Sequence, residues 1–164
     1  MNNFKLIAAL FFCITVVGQK KSELEINRLL DSWHKDAAET NFDSYFSKMT
    51  ENAVFIGTDA TEYWNKKEFM KFSKPYFEKG KAWSFKAVKR NIFISNNKKV
   101  AWFDELLDTQ MKLCRGSGVL KKIKGKWKIV HYVLSIVVPN DNVDELVKMK
   151  KEWDDTLIKK LIDN

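Results

Sequence analysis

Asp104 and Glu105 stand side by side in the stretch AWFDELLDT, residues 101–109, whose alternation reads as a β-strand. Successive strand side chains point to opposite faces, so only one of the two carboxylates can enter a core or cavity. A carboxylate buried beside aromatics has its pKa raised, which suits it to take and return a proton near neutral pH. His131 is the candidate proton partner and Arg115 the candidate charge partner. The plainer alternative is an arginine–carboxylate pair that ties neighbouring strands together, with His131 as a hydrogen-bonded core histidine. Ser117 and Asp59 complete the polar candidates, although Asp59, following Gly57-Thr58 at a strand end, also suits an exposed turn.

Other chemistries find no support. His34 and His131 are the only histidines, and HExxH, CxxC, G-x-S-x-G, phosphate-loop and dinucleotide fingerprints are all missing, so neither a metal nor a cofactor is implied. Cys114, beside Leu113 in a strand-like segment, reads as a small buried hydrophobe rather than a nucleophile.

The elements that position these residues follow from hydrophobic period. Residues 24–38 predict a helix with Ile26, Leu30, Trp33 and Ala37 on one stripe. A helical turn over 42–49 and a short strand over 53–56 come next. A helix over 66–78 buries Phe69, Phe72, Tyr76 and Phe77, is shortened or kinked by Pro75 and stops at Gly80. From Trp83 the period becomes two, predicting strands at 83–95, 99–108, 113–123 and 127–138. A two-residue loop at Lys124-Gly125 would pair Ile123 with Lys126, Leu120 with Ile129, Gly118 with His131 and Gly116 with Val133. Trp127, Ile129, His131 and Val133 would then share one face, with room above the two glycines. After Pro139, residues 141–162 predict an amphipathic helix with Val143, Leu146, Val147, Trp153, Leu157 and Leu161 on its apolar side.

Residues 1–18, MNNFKLIAALFFCITVVG, have the layout of a secretory signal peptide: Lys5, a 12-residue apolar run from Leu6 to Val17, and Gly18 before a polar stretch. The run is shorter than the roughly 20 residues of a spanning helix. Removal of this segment would leave Cys114 as the sole cysteine, in a periplasmic or secreted protein with no stable membrane span and no internal disulfide. The expected division is a leader over 1–18, a folded domain over 22–139 and a C-terminal helix over 140–164. The formal net charge is +8, and residues 82–128 hold 12 basic and 3 acidic groups. Lys121, Lys122, Lys124, Lys126 and Lys128 flank the expected turn, where solvated lysines deter edge pairing, so nucleic acid is not the expected partner.

Composition bounds what such a chain can build. The 164 residues are 45% hydrophobic and 13% aromatic with two prolines, enough apolar mass for a core and a lined cavity, and far from disordered or fibrous compositions. Helices preceding a run of antiparallel strands indicate an α+β architecture, a cone-shaped curved sheet closed by N-terminal helices.

DSWHKDAAETNFDSYFSKMTENAVFIGTDATEYW, AWFDELLDT and CRGSGVLKKIKGKWKIVHYVLS together resemble the SnoaL-like branch of the nuclear-transport-factor-2-like superfamily, over about Leu24 to Pro139. The resemblance implies a pocket between the concave sheet face and the helices, lined by Trp33, Phe55, Trp64, Phe69, Phe72, Trp102, Trp127, Ile129 and Val133. It favours Glu105 over Asp104 as the inward carboxylate. Steroid isomerases of the superfamily use a tyrosine of the first helix as oxyanion donor; the first helix here contains no tyrosine, and its nearest substitutes, Trp33 and His34, do not reproduce a phenol's acidic hydrogen bond, which weakens the case for isomerase chemistry. The implied functions are binding of a small apolar molecule, acid–base catalysis on a hydrophobic cyclic or carbonyl substrate, or assembly as a homodimeric interaction module.

Overall fold

In a computed structural model, residues 2–163 are described, with side chains from Lys20 onward. The expected leader therefore falls where side chains lie outside the described residues. Helix α1 (Asn2–Ala38) is followed by α2 (Phe42–Ser47), strands β1 (Met49–Ile56) and β2 (Tyr63–Asn65), and α3 (Lys66–Glu78). Four long strands come next, β3 (Phe85–Ile94), β4 (Val100–Thr109), β5 (Lys112–Ile123) and β6 (Lys126–Ile136), and then α4 (Val143–Ile162). They form one curved, unclosed six-stranded sheet in the order β2-β1-β6-β5-β4-β3. All neighbours are antiparallel except β1 and β6, which run parallel. Among the described residues no helix is long and apolar enough to cross a membrane.

Local chemistry accounts for the boundaries. Asn65 and Glu68 form a reciprocal capping box at the start of α3, each side chain accepting the other's backbone N–H. The helix continues through Pro75, whose missing N–H falls on an exposed face, and Gly80 ends it at φ +68°. Lys124 and Gly125 both take positive φ, as a two-residue hairpin between twisted strands requires, and Ile123 pairs with Lys126.

The expected register holds as far as Leu120–Ile129 and then steps by one. Val130 is an extra residue on β6, so Gly118 pairs with Tyr132 and Gly116 with Leu134. Beyond this bulge the buried side chains are Tyr132 and Leu134, while His131 and Val133 turn to the outer face. Val88 does the same on β3, where Ala87 pairs with Leu107 and Arg90 with Glu105.

The core lies between the concave face and the first three helices. Ile26, Leu30, Trp33 and Ala37 of α1 are buried in it, against Phe103, Leu107, Leu120, Ile129 and Tyr132 of the sheet. Trp33 stacks on Tyr45 of α2 at 5.0 Å and meets Tyr132 edge-on at 4.9 Å. No side chain of α4 is buried.

Candidate functional site

The concave side carries two features, a buried polar cluster and an aromatic cleft. Glu105 is 1% exposed, on the inward face of β4. Its Oε1 accepts hydrogen bonds from His34 Nε2 at 2.8 Å and from the Tyr132 hydroxyl at 3.1 Å, and its Oε2 accepts from Arg90 Nε at 2.8 Å. Arg90 reaches on to α1, donating through Nη1 to Asp31 Oδ1 at 2.7 Å and Asn27 Oδ1 at 3.1 Å. Burial alone would raise the Glu105 pKa, but the His34 hydrogen bond and the Arg90 charge outweigh it and leave the carboxyl below its ordinary value. Tyr132 moves the other way: burial, then the Glu105 charge, pushes the phenol well up, so it stays a donor. The cluster is thus an ionised carboxylate held by three donors, the reverse of the raised-pKa base expected from the sequence.

Gly116 leaves the room this cluster needs. A Cβ there would collide with the Tyr132 hydroxyl and lie 3.1 Å from Glu105 Cγ. The space expected above the glycines is therefore filled, by Phe103 at Gly118 and by Tyr132 at Gly116, and Tyr132 supplies from β6 a phenol that α1 lacks.

The cleft opens between α3, the β1–β2 turn and the start of β3, and offers about 120 Å³ open to solvent. Its wall contains Phe55, Trp64, Phe69 and Phe72, all expected there, with Trp83, Phe85, Met111 and Leu134. Phe69 packs flat on Phe55 at 4.0 Å, and Phe72 on Trp64 at 4.4 Å. Polar atoms come from Thr58, Glu62 and Gln110. Glu105, His34, Arg90 and Tyr132 are absent from this wall; Phe85, 5.8 Å from the His34 ring, belongs to it.

The remaining expected residues lie elsewhere. Asp104 is on the outer face, accepting from Asn91 Nδ2 at 2.9 Å. Arg115 is exposed on that face opposite Leu106, and Ser117 pairs there with Asp104 and Val133. His131 faces outward beside Val119 and Val54. Neither Arg115 nor His131 therefore meets Glu105, because β5 alternation and the Val130 bulge carry them to the other side. Trp102 is also outside, 48% exposed and stacked on Phe93 at 5.8 Å. Trp33 and Ile129 are core, and Trp127 is buried where β6 approaches Glu25 and Leu29 of α1. Asp59 stays in its exposed turn, bonded to Thr61.

Sequence reasoning missed His34, Arg90 and Tyr132 as a set. His34 had a signal, since it sits four residues after Leu30 on the buried side of α1. Arg90 and Tyr132 face inward only because of the bulges at Val88 and Val130.

An α+β cone with helices over the concave face of a bent sheet defines the nuclear-transport-factor-2-like architecture. The SnoaL-like domain family matches residues 26–139, and the chain belongs to it. Similar solved structures agree on the fold. An NTF2-like protein of unknown function from Pseudomonas putida is 11% identical, with a TM-score of 0.63 over 75% of this chain and 92% of that one. A protein of unknown function from Mycobacterium tuberculosis is 12% identical, with a TM-score of 0.65 over 77% and 78%. The association domain of CaMKII from C. elegans is 18% identical, with a TM-score of 0.60 over 72% and 98%. No curated protein matches the chain in sequence.

Proposed function

We propose that the protein binds a small, largely apolar molecule, or one apolar group of a larger one, in the cleft between Trp64, Phe69 and Trp83. The observation that carries this is a preformed, mainly apolar concavity in which six of the twelve lining residues are aromatic, with Met111 and Leu134 beside them and polar atoms at Thr58, Glu62 and Gln110. Its 120 Å³ sets the scale. An apolar cavity of about 150 Å³ accepts one benzene ring, so the bound group is of single-ring size. Acid–base catalysis draws less support, because Glu105, the favoured base, is outside the cleft wall and held ionised by three donors. The leader-like residues 1–18 support export, so the ligand would be met in the periplasm or outside the cell.

The test is native mass spectrometry of protein purified from its own host, joined to tryptophan fluorescence. A retained small molecule, displaced in Trp64→Ala, supports the reading. An empty protein whose fluorescence no single-ring compound perturbs would remove it.

A second feature favours self-association. The outer sheet face exposes Phe93, Trp102 and Leu113, and α4 exposes Val147, Trp153 and Leu161. A second copy of the chain would cover such a surface, and the CaMKII neighbour is itself named an association domain.

A further inference from the structure

The charge at the cleft runs against the charge of the protein. The chain carries 29 basic and 21 acidic side chains, yet among the described residues no lysine, arginine or histidine lines the cleft, and the one ionisable group there is the carboxylate of Glu62. Around it stand six aromatic rings, Phe55, Trp64, Phe69, Phe72, Trp83 and Phe85. Ring faces carry partial negative charge, so the faces left open to the cleft attract a cation; Phe69 spends its faces on Phe55, Trp64 and Trp83, and Phe72 stacks on Trp64, so only part of the wall is available for this.

Glu62 is placed for this. Its Oε2 accepts the Asp59 N–H at 3.2 Å, which holds the carboxylate against Gly57 at the cleft. A Cβ on residue 57 would collide with that same oxygen, so the glycine is what allows the carboxylate to lie there. Oε1 has no protein partner among the described residues.

We propose that the group taken by this cleft is an organic cation, a methylated ammonium head, held by the aromatic wall and neutralised by Glu62. The inference rests on the cleft being a binding site and adds the charge of its ligand. The head is compact and apolar outside yet positive, which fits about 120 Å³ of aromatic space with one carboxylate. A neutral ring would cover the Glu62 carboxylate without bringing it an opposite charge.

The experiment compares choline with 3,3-dimethylbutan-1-ol, its neutral isostere in which carbon replaces the charged nitrogen. Both are titrated into the full chain at fixed ionic strength, followed by tryptophan fluorescence and calorimetry. Choline should bind at least about tenfold more tightly than the alcohol. Glu62→Gln should abolish most of that preference, and Gly57→Ala should weaken choline by displacing the carboxylate. Melting curves for both variants confirm that they are folded. If the alcohol binds as well as choline, the cationic assignment fails while the cleft remains a binding site; if Glu62→Gln leaves the preference intact, Glu62 is not the group that neutralises the cation, and that half of the proposal fails. If neither compound binds at up to about 10 mM, the cationic assignment fails, and if single-ring compounds are silent too the cleft reading fails with it.

Discussion

His34 Nε2 and Glu105 Oε1 lie 2.8 Å apart, although 71 positions separate them in the chain, and their hydrogen bond ties α1 to the middle of the sheet. With Arg90 and Tyr132 it makes one charged unit inside an aromatic core. Removing the anion strands the Arg90 cation, whereas removing one donor leaves two. Glu105→Gln should therefore cost about 3–5 kcal/mol of stability. Tyr132→Phe should cost less, about 1.5–3 kcal/mol. Urea unfolding measures both. An unaltered midpoint in Glu105→Gln would show that the carboxylate holds nothing together.

The pH dependence has a definite sign. Glu105 titrates below its ordinary value in the folded chain, through the His34 and Arg90 contacts that overcome its burial. A depressed folded pKa contributes stability that is fully present above the unfolded value, about 4.3, and is lost as pH falls through the lower folded value. The stability gap between the native protein and Glu105→Gln should be widest near neutrality and close as pH drops below about 4. Chemical denaturation at a series of pH values reads this gap, and a gap that widens in acid contradicts the assigned direction.

Gly116 and Tyr132 should behave as a coupled pair. A Cβ at 116 runs into the phenol hydroxyl and crowds Glu105 Cγ at 3.1 Å. Gly116→Ala should cost about 1–3 kcal/mol through overpacking. In a Tyr132→Phe background the same change should cost less, because the worst collision, with the hydroxyl oxygen, is gone and only the crowding against ring Cζ remains. Additive losses in the double variant would mean that the methyl finds another way out.

These residues also mark where the sequence could be read and where it could not. Ile26, Leu30, Trp33 and Ala37 repeat at helical spacing and all are buried, and the strand order through the Lys124-Gly125 hairpin follows from turn chemistry. Phe55, Trp64, Phe69 and Phe72 were expected at a pocket and do line the cleft. The polar cluster was not foreseeable from alternation. A period of two places His131 and Val133 inward, and one bulged residue, Val130, exchanges them for Tyr132 and Leu134. Val88 likewise brings Arg90, rather than Lys89, opposite Glu105. Bulges leave no compositional trace in a run of β-branched and aromatic residues, so the side-chain set beyond each one is decided by packing.

Trp127 and Trp102 separate the two faces of the sheet experimentally. Trp127 is 4% exposed and packs beneath α1, and Trp102 is half-exposed against Phe93. Trp127→Ala should cost about 3–5 kcal/mol, as for a large core side chain. Trp102→Ala should change monomer stability by less than about 1 kcal/mol and act instead on self-association, measured by light scattering. The opposite ranking would invert the assignment of faces.

The last test concerns α4, which follows the family match and buries none of its own side chains. Its charged face is self-sufficient, with Lys148–Glu145, Lys150–Asp154 and Lys151–Asp155 pairs along the helix. Its apolar face is not: Trp153 is 49% exposed and Leu161 65%. Most helical stability in proteins comes from packing an amphipathic face, and α4 buries none of its side chains in its own domain, so the proposed self-association would cover this stripe. Deleting residues 141–164 should leave the melting temperature of the remaining domain within about 2 °C, because no core contact is lost. The same deletion should lower the mass of the assembly in solution, read by analytical ultracentrifugation. A marked fall in melting temperature at unchanged mass would instead place α4 against its own sheet, and an unchanged mass with unchanged melting would leave it a tail.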